Sequence, residues 1–158
     1  MPAVPDDAAL LVDFLNTVDI DEEVDLLSDD TKYEEWARAR GLRPTKRVAT
    51  RKLRDALRQL VVDGVAELPR VALSVSVGTD RLPRIAGDDV ASRVLAAVIG
   101  LVERGEWERI KLCPNPVCLE AFYDRSKNRC RAWCDMSGCG SAAKARAYRA
   151  RRRERDEK

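Results

Sequence analysis

The sequence predicts an α+β protein: a mainly helical N-terminal domain with one β-hairpin, then a small treble-clef or ribbon-like module built on cysteines and ending in a basic helix. Three observations predict it. Apolar residues recur at helical spacing through most of residues 8–103. One short stretch alternates with period two instead. All five cysteines fall between positions 113 and 139, and the chain after them is rich in arginine.

Taken in order, Leu11, Phe14 and Leu15 fall at i, i+3 and i+4, which predicts a short amphipathic helix over residues 8–17. Residues 19–30 form an acidic connection that holds Leu26 and Leu27. A second helix is expected over 31–40. Thr31 and Glu34 suit a capping box, in which each side chain satisfies a backbone N–H of the other residue. Gly41 suits a left-handed C-terminal cap, and Tyr33 and Trp36 can pin this helix to the core. Residues 45–63 are the longest helical candidate. Val48, Leu53, Leu57, Leu60 and Val61 form its apolar side, Arg47, Arg51, Lys52, Arg54 and Arg58 lie mostly elsewhere, and Gly64 ends it. Val71, Leu73, Val75 and Val77 alternate with small or polar residues, the period of a strand, and residues 82–86 can return as its partner after a turn at 78–80. Residues 88–103 are helical again, with Val94, Leu95, Val98 and Leu101 on one side and Gly105 after it. Ile110 and Leu112 lead into the first cysteine as a short strand. The change of character near Gly105 divides the chain into a domain at 1–105 and a module at 106–158.

The net charge of +2 hides an asymmetry. Residues 1–108 carry 15 Lys+Arg against 21 Asp+Glu, a net −6, and residues 109–158 carry 14 against 6, a net +8. A basic module thus sits on an acidic body, the distribution of a protein with an anionic partner. The chain has no histidine, which excludes Ser-His-Asp and Cys-His catalytic sites within one chain. No other catalytic constellation is visible, and the expectation is a protein that is not an enzyme. The acidic N-terminus lacks the basic region of a secretory signal. No apolar run approaches the ~18 residues of a membrane span, and clustered cysteines fit a reducing cytoplasm.

The cysteines read as two Cys-x4-Cys pairs, Cys113 with Cys118 and Cys134 with Cys139, fifteen residues apart. Structural zinc takes four thiolates at tetrahedral corners, and each pair must bend the chain so that both sulfurs face one point. One structural zinc per chain on Cys113, Cys118, Cys134 and Cys139 is the reading, with Gly138 and Gly140 allowing a tight second turn. Cys130 is the surplus. A Cys130-x3-Cys134 pair would leave Cys139 outside and break the symmetry of the two knuckles. Zn²⁺ with four thiolates has a net charge of −2, which Lys111, Arg125, Lys127, Arg129 and Arg131 can offset.

Lys144, Tyr148, Arg151, Arg152 and Arg155 share one side of the final helix, and Arg146, Arg149 and Arg153 continue around it. A helix polar on nearly every side needs a partner or frays. Double-stranded DNA matches it, because guanidiniums along a helix can neutralise phosphates and release counterions. The residues assigned to nucleic acid are Arg125, Lys127, Asn128, Arg129, Arg131, Lys144, Arg146, Arg149, Arg152 and Arg153. The competing reading is a zinc-stabilised protein-interaction or redox-switch module, in which Cys130 exchanges against a ligand on oxidation. In the body, Asp13, Asn16 and Thr17 are polar residues within an apolar helix. They either end that helix with local hydrogen bonds or line a pocket for a small-molecule effector, which would make the body a sensor. A dimerising body, hence a homodimer, is the other role open to it.

The segment from Arg109 to Arg153 resembles the CGNR zinc-finger family. Its Cys-x4-Cys, Phe-x-Asp-x-Ser-Lys/Arg-Asn and Arg-x-Trp-Cys-x4-Cys-Gly motifs stand here as Cys113 to Cys118, Phe122-Tyr-Asp124-Arg-Ser126-Lys127-Asn128, and Arg131-Ala-Trp133-Cys134 to Cys139-Gly140. The Asn-Arg that follows in that family is replaced by Ser141-Ala142, and the pattern resumes at Lys144. The front of the chain, through Leu11-Val-Asp13-Phe-Leu-Asn16-Thr17, Asp25-Leu-Leu27 and Trp36, is similar to the ABATE domain that precedes this finger. The resemblance implies a bacterial, stress-related transcriptional regulator.

Overall fold

The computed structural model describes residues 3–156. It is an α+β arrangement of five α-helices and three separate two-stranded antiparallel sheets. The helices are α1 (Asp6–Leu15), α2 (Asp30–Arg38), α3 (Arg47–Asp63), α4 (Val90–Glu103) and α5 (Ser141–Asp156). The strands are β1 (Val18–Asp19), β2 (Val24–Asp25), β3 (Ser74–Val77), β4 (Pro83–Ala86), β5 (Ile110–Leu112) and β6 (Ala121–Tyr123), each paired with its neighbour in sequence.

The core gathers where the apolar stripe of α1 meets α4. Ala8, Leu11, Phe14 and Leu15 of α1 are fully buried, against Val90, Val94 and Leu101 of α4. Leu53 and Leu57 of α3 close one side, and Tyr33 and Trp36 of α2 another. Phe14 and Trp36 meet with ring centroids 5.9 Å apart.

Helix ends follow local chemistry, with one change from expectation. The cap of α2 is Asp29, whose carboxylate accepts from the Lys32 N–H at 2.9 Å. A carboxylate two residues before Thr31 reaches the free N–H first, so the capping box does not form. At the other end Gly41 takes φ +67, and the Leu42 N–H bonds the Ala37 carbonyl while the Gly41 N–H bonds Arg38, a Schellman closure. Gly64 ends α3 at φ +71.

Two expectations for α3 fail for a common reason. Val48 is 61% exposed, whereas Arg54 is only 2% exposed. The face toward the core is set by Thr50, Leu53, Arg54 and Leu57, and Arg54 enters it because Asp25 waits at the end of β2. The guanidinium of Arg54 donates to both carboxylate oxygens of Asp25, at 2.5 and 3.0 Å, and to Asp55 at 2.8 Å. The β3–β4 hairpin forms in the expected place, with Val75 opposite Ile85 and Val77 opposite Pro83. Its period-two residues are not covered, however: Val75 and Val77 stay about two-thirds exposed.

The cysteine module does not hang from the body. Ile110, Ala121 and Tyr123 of the β5–β6 hairpin belong to the same apolar cluster as Leu11 and Phe14. Asn16, just after α1, forms two hydrogen bonds with the backbone of Ala121: its Nδ2 donates to the carbonyl at 2.9 Å and its Oδ1 accepts from the N–H at 2.7 Å. The side chain of Arg58 donates to the Leu15 carbonyl at 2.8 Å and the Leu119 carbonyl at 2.7 Å, tying α3 to both.

Candidate metal centre and basic helix

The local folds that present the sulfurs differ. Cys113 leaves β5, with its N–H still donating to the Glu120 carbonyl across the hairpin at 2.8 Å. Between the strands the chain turns on Asn115, whose carbonyl accepts from the N–H groups of Cys118 and Leu119, and Leu119 adopts φ +52 to rejoin β6. Cys134 ends the loop from β6. Cys139 stands in a single wide turn, Met136–Gly140, that runs directly into α5. Asp135 caps that turn, accepting from the Gly138 N–H at 2.6 Å. Neither Gly138 nor Gly140 is left-handed. A Cβ at Gly140 would meet the end of the half-exposed Met136 side chain at 3.1 Å, which would have to shift by a few tenths of an ångström.

The four sulfurs of Cys113, Cys118, Cys134 and Cys139 all lie within 4.8 Å of one another. Cys118 and Cys134 are 3.5 Å apart. Four sulfurs about 2.3 Å from a tetrahedral ion stand about 3.8 Å apart, so the cluster has the size of a zinc site. Its electrostatics call for a cation. Burial, together with the neighbouring sulfurs of Cys118 and Cys113, pushes the Cys134 thiol above its ordinary value. Burial raises Cys118 as well. Cys113 is penalised by burial too but drawn down by the backbone N–H groups of Cys134 and Asn115. Four adjacent thiolates are tolerated only around a positive centre, and the donor set is the one structural zinc takes. Asn115 adds an outer contact, its Nδ2 donating to the Cys139 sulfur at 3.3 Å. Cys130 is outside the cluster, exposed, with its N–H bonded to the Ser126 hydroxyl at 2.9 Å.

The chain from Asp124 to Arg131 is organised by a buried carboxylate. Asp124 accepts from the Ser126 N–H at 2.8 Å, the Arg131 N–H at 2.9 Å and the Lys111 ammonium at 2.6 Å. Burial alone would raise its pKa, but Lys111, Ser126 and Arg131 outweigh that and hold it at about 2. The Lys111 ammonium also donates to the carbonyls of Arg129 and Arg131. Of the residues assigned to nucleic acid, Lys127, Asn128 and Arg129 are exposed on this loop and Arg125 is half-buried. Arg129 meets Glu108 at 3.3 Å. Arg131 is engaged within the module: its guanidinium lies over the Phe122 ring at 5.0 Å and donates to the carbonyls of Trp133 and Cys134.

Helix α5 begins two residues after Cys139, and the Ser141 hydroxyl bonds back to the Met136 carbonyl at 3.1 Å. Lys144, Arg146, Arg149, Arg152 and Arg153 are all exposed on it. The metal turn therefore aims a cationic rod into solvent.

The chain's residues 8–109 match the family model ABATE, described as "Putative stress-induced transcription regulator". The chain belongs to the ABATE family. Residues 109–152 match the CGNR zinc finger, which continues where the ABATE match ends. No curated protein matches the chain. Within this layout, Cys113, Cys118, Cys134 and Cys139 are the ligands of one structural zinc. No helix among the described residues is long and apolar enough to cross a membrane.

The structure places Asp13, Asn16 and Thr17 apart in role. Asp13 pairs with Arg40, which also lies over Trp36. Asn16 binds the module, as above, and faces a small polar cleft with Asp19, Asp21 and Glu120. The Thr17 hydroxyl is buried and donates to the Phe14 carbonyl at 2.8 Å. Sequence reasoning gave no task to Asp124, Asn115 or Arg58. Only the first had a visible signal, its fixed place in the Phe-x-Asp-x-Ser motif.

Proposed function

We propose that this ABATE-family chain is a transcription regulator that grips duplex DNA through α5, with Lys127, Asn128 and Arg129 of the loop after β6 contributing. The carrying observation is the junction of the zinc turn and α5. A helix with cations around its surface and nearly every residue exposed follows directly from the turn that carries a metal ligand. That fixes its direction before a partner arrives, and an all-polar helix of this kind needs one. The module is of treble-clef type in this reading, its last ligand coming from the turn that starts the helix. The four sulfurs would fill all four positions of a tetrahedral zinc, which supports a structural rather than catalytic ion and a protein that binds rather than catalyses. Arg131 is assigned to shaping the module.

The test is a salt titration of duplex DNA binding by the zinc-loaded chain. Removing residues 144–158 deletes eight Lys/Arg and three Asp/Glu, a net +5. Contact with about five phosphates gives a log–log salt slope of about −4 to −5. The truncated chain should keep zinc and lose most of that slope. Equal affinity and slope in the truncated chain would transfer the proposal to a protein-interaction module.

A further inference from the structure

The body holds a cavity that none of the residues discussed so far explains. It lies between the α2–α3 connection, the first two turns of α3, the start of α4 and the segment 69–72, and measures about 310 Å³. Its lining has two characters. Leu53 and Ala91 are buried at its base, and Pro69, Val71 and the exposed Ala49 and Ala72 complete an apolar lining. Arg43, Lys46 and Arg70 stand on its wall as cations.

The charge balance of that wall is uneven. Asp89 is the one carboxylate in the lining, and it is already engaged: it caps α4 through the Ser92 N–H at 3.0 Å and lies 3.6 Å from Arg43. Arg43 is further paired with Asp88 at 3.0 Å. Lys46 and Arg70 have no carboxylate partner among the described residues. Two exposed cations without a carboxylate partner therefore line a largely apolar hollow. Hydroxyls complete the polar part. Thr45 and Thr50 line the cavity, and with Tyr33 they form a closed set of mutual hydrogen bonds at 2.7–3.2 Å.

We propose that this cavity is the sensory site of the body and takes a small organic acid, its anionic group between Lys46 and Arg70 and its apolar part against Leu53 and Val71. A concave, mostly apolar site with a few convergent polar groups is the form small-molecule sites take. The two cations choose an anion over a neutral ligand, and the apolar wall chooses an organic acid over an inorganic ion. Neither Asp13 nor Thr17 lines the site. It does not depend on DNA contact by α5.

The full zinc-loaded chain is titrated with 2-naphthoate, 2-naphthamide and inorganic phosphate, with binding read by calorimetry and by saturation-transfer NMR. Saturable binding of naphthoate, about tenfold or more tighter than either the amide or phosphate, is expected. Two variants locate it. Lys46→Gln with Arg70→Gln should weaken naphthoate by about tenfold or more while leaving the amide unchanged. Ala49→Phe, at an exposed helix position, should block the cavity with both cations intact. No saturable naphthoate binding overturns the proposal. So does binding unchanged in either variant, and so does phosphate that binds as tightly as naphthoate.

Discussion

Arg54 is buried with its charge, and the reason lies in the three acceptors around it. The guanidinium bonds Asp25 through two nitrogens, Asp55 through two, and approaches the Thr17 hydroxyl at 3.4 Å. Burial would raise the Asp25 carboxyl, but Arg54 and the Leu27 N–H hold it below its ordinary value. Removing Arg54 would leave Asp25 with the half-exposed Arg51 at 3.1 Å as its only cation among the described residues, and breaking a buried pair costs up to about 3–5 kcal/mol. Arg54→Met should lower stability by that order in urea unfolding, and adding Asp25→Leu should recover part of it. A loss under 1 kcal/mol would place the ion pair in solvent. The sign with pH follows from the depressed carboxyl. The stabilisation is full above the unfolded pKa near 4 and fades as pH falls below it. Asp124 obeys the same rule with a stated end point. It titrates at about 2 in the folded chain, so its contribution of about 2 kcal/mol is present above pH ~4 and lost toward pH ~2. Asp124→Asn should cost about that much at pH 7, and a neutral effect would show that Lys111 and the two N–H groups do not need the charge.

At the level of elements, the seam between α1 and β6 rests on Asn16. Both backbone groups of Ala121 bond to it. Asn16→Ala would leave an N–H and a carbonyl without partners in a part-buried place, at a cost of about 2 kcal/mol. Equilibrium unfolding measures it, and a change within 0.5 kcal/mol would mean that water replaces Asn16 freely. The elements also show what a sequence makes visible. Helices α1 and α4 were legible because their buried residues repeat every third or fourth position. The zinc ligands were legible because sulfur spacing states the geometry that the metal needs. Coverage was not legible. Alternation at Val75 and Val77 says which residues share a face of β3, but nothing in it says that this face stays open. Arg54 escaped for the converse reason: its burial depends on Asp25, distant in sequence, and charge pairing across that distance leaves no periodic trace. The Asn16 contact is invisible in the same way, since an Asn after a helix reads as a local stop.

For the whole molecule, the position of Ile110, Ala121 and Tyr123 decides how metal and body are coupled. These residues are packed with Leu11, Phe14 and Leu101 in one apolar cluster, and Arg58 bridges Leu15 to Leu119. A boundary near residue 105 in composition is therefore not a boundary in packing. Cys113 and Cys118 stand in the turn between β5 and β6, so loss of zinc would free that turn and loosen the hairpin that covers part of α1. Structural zinc in small modules contributes about 10–16 kcal/mol, as much as the whole stability of a typical domain, about 5–15 kcal/mol. Chelation should consequently loosen the entire chain rather than the module alone. The measurement is thermal unfolding followed at 222 nm and, for Trp36, Trp107 and Trp133, by fluorescence, with and without a strong zinc chelator. One cooperative transition should shift to lower temperature in both signals, and readdition of zinc should restore it. A body transition that keeps its midpoint after chelation, with only the signal from α5 lost, would show that the apolar cluster holds without its β5–β6 members.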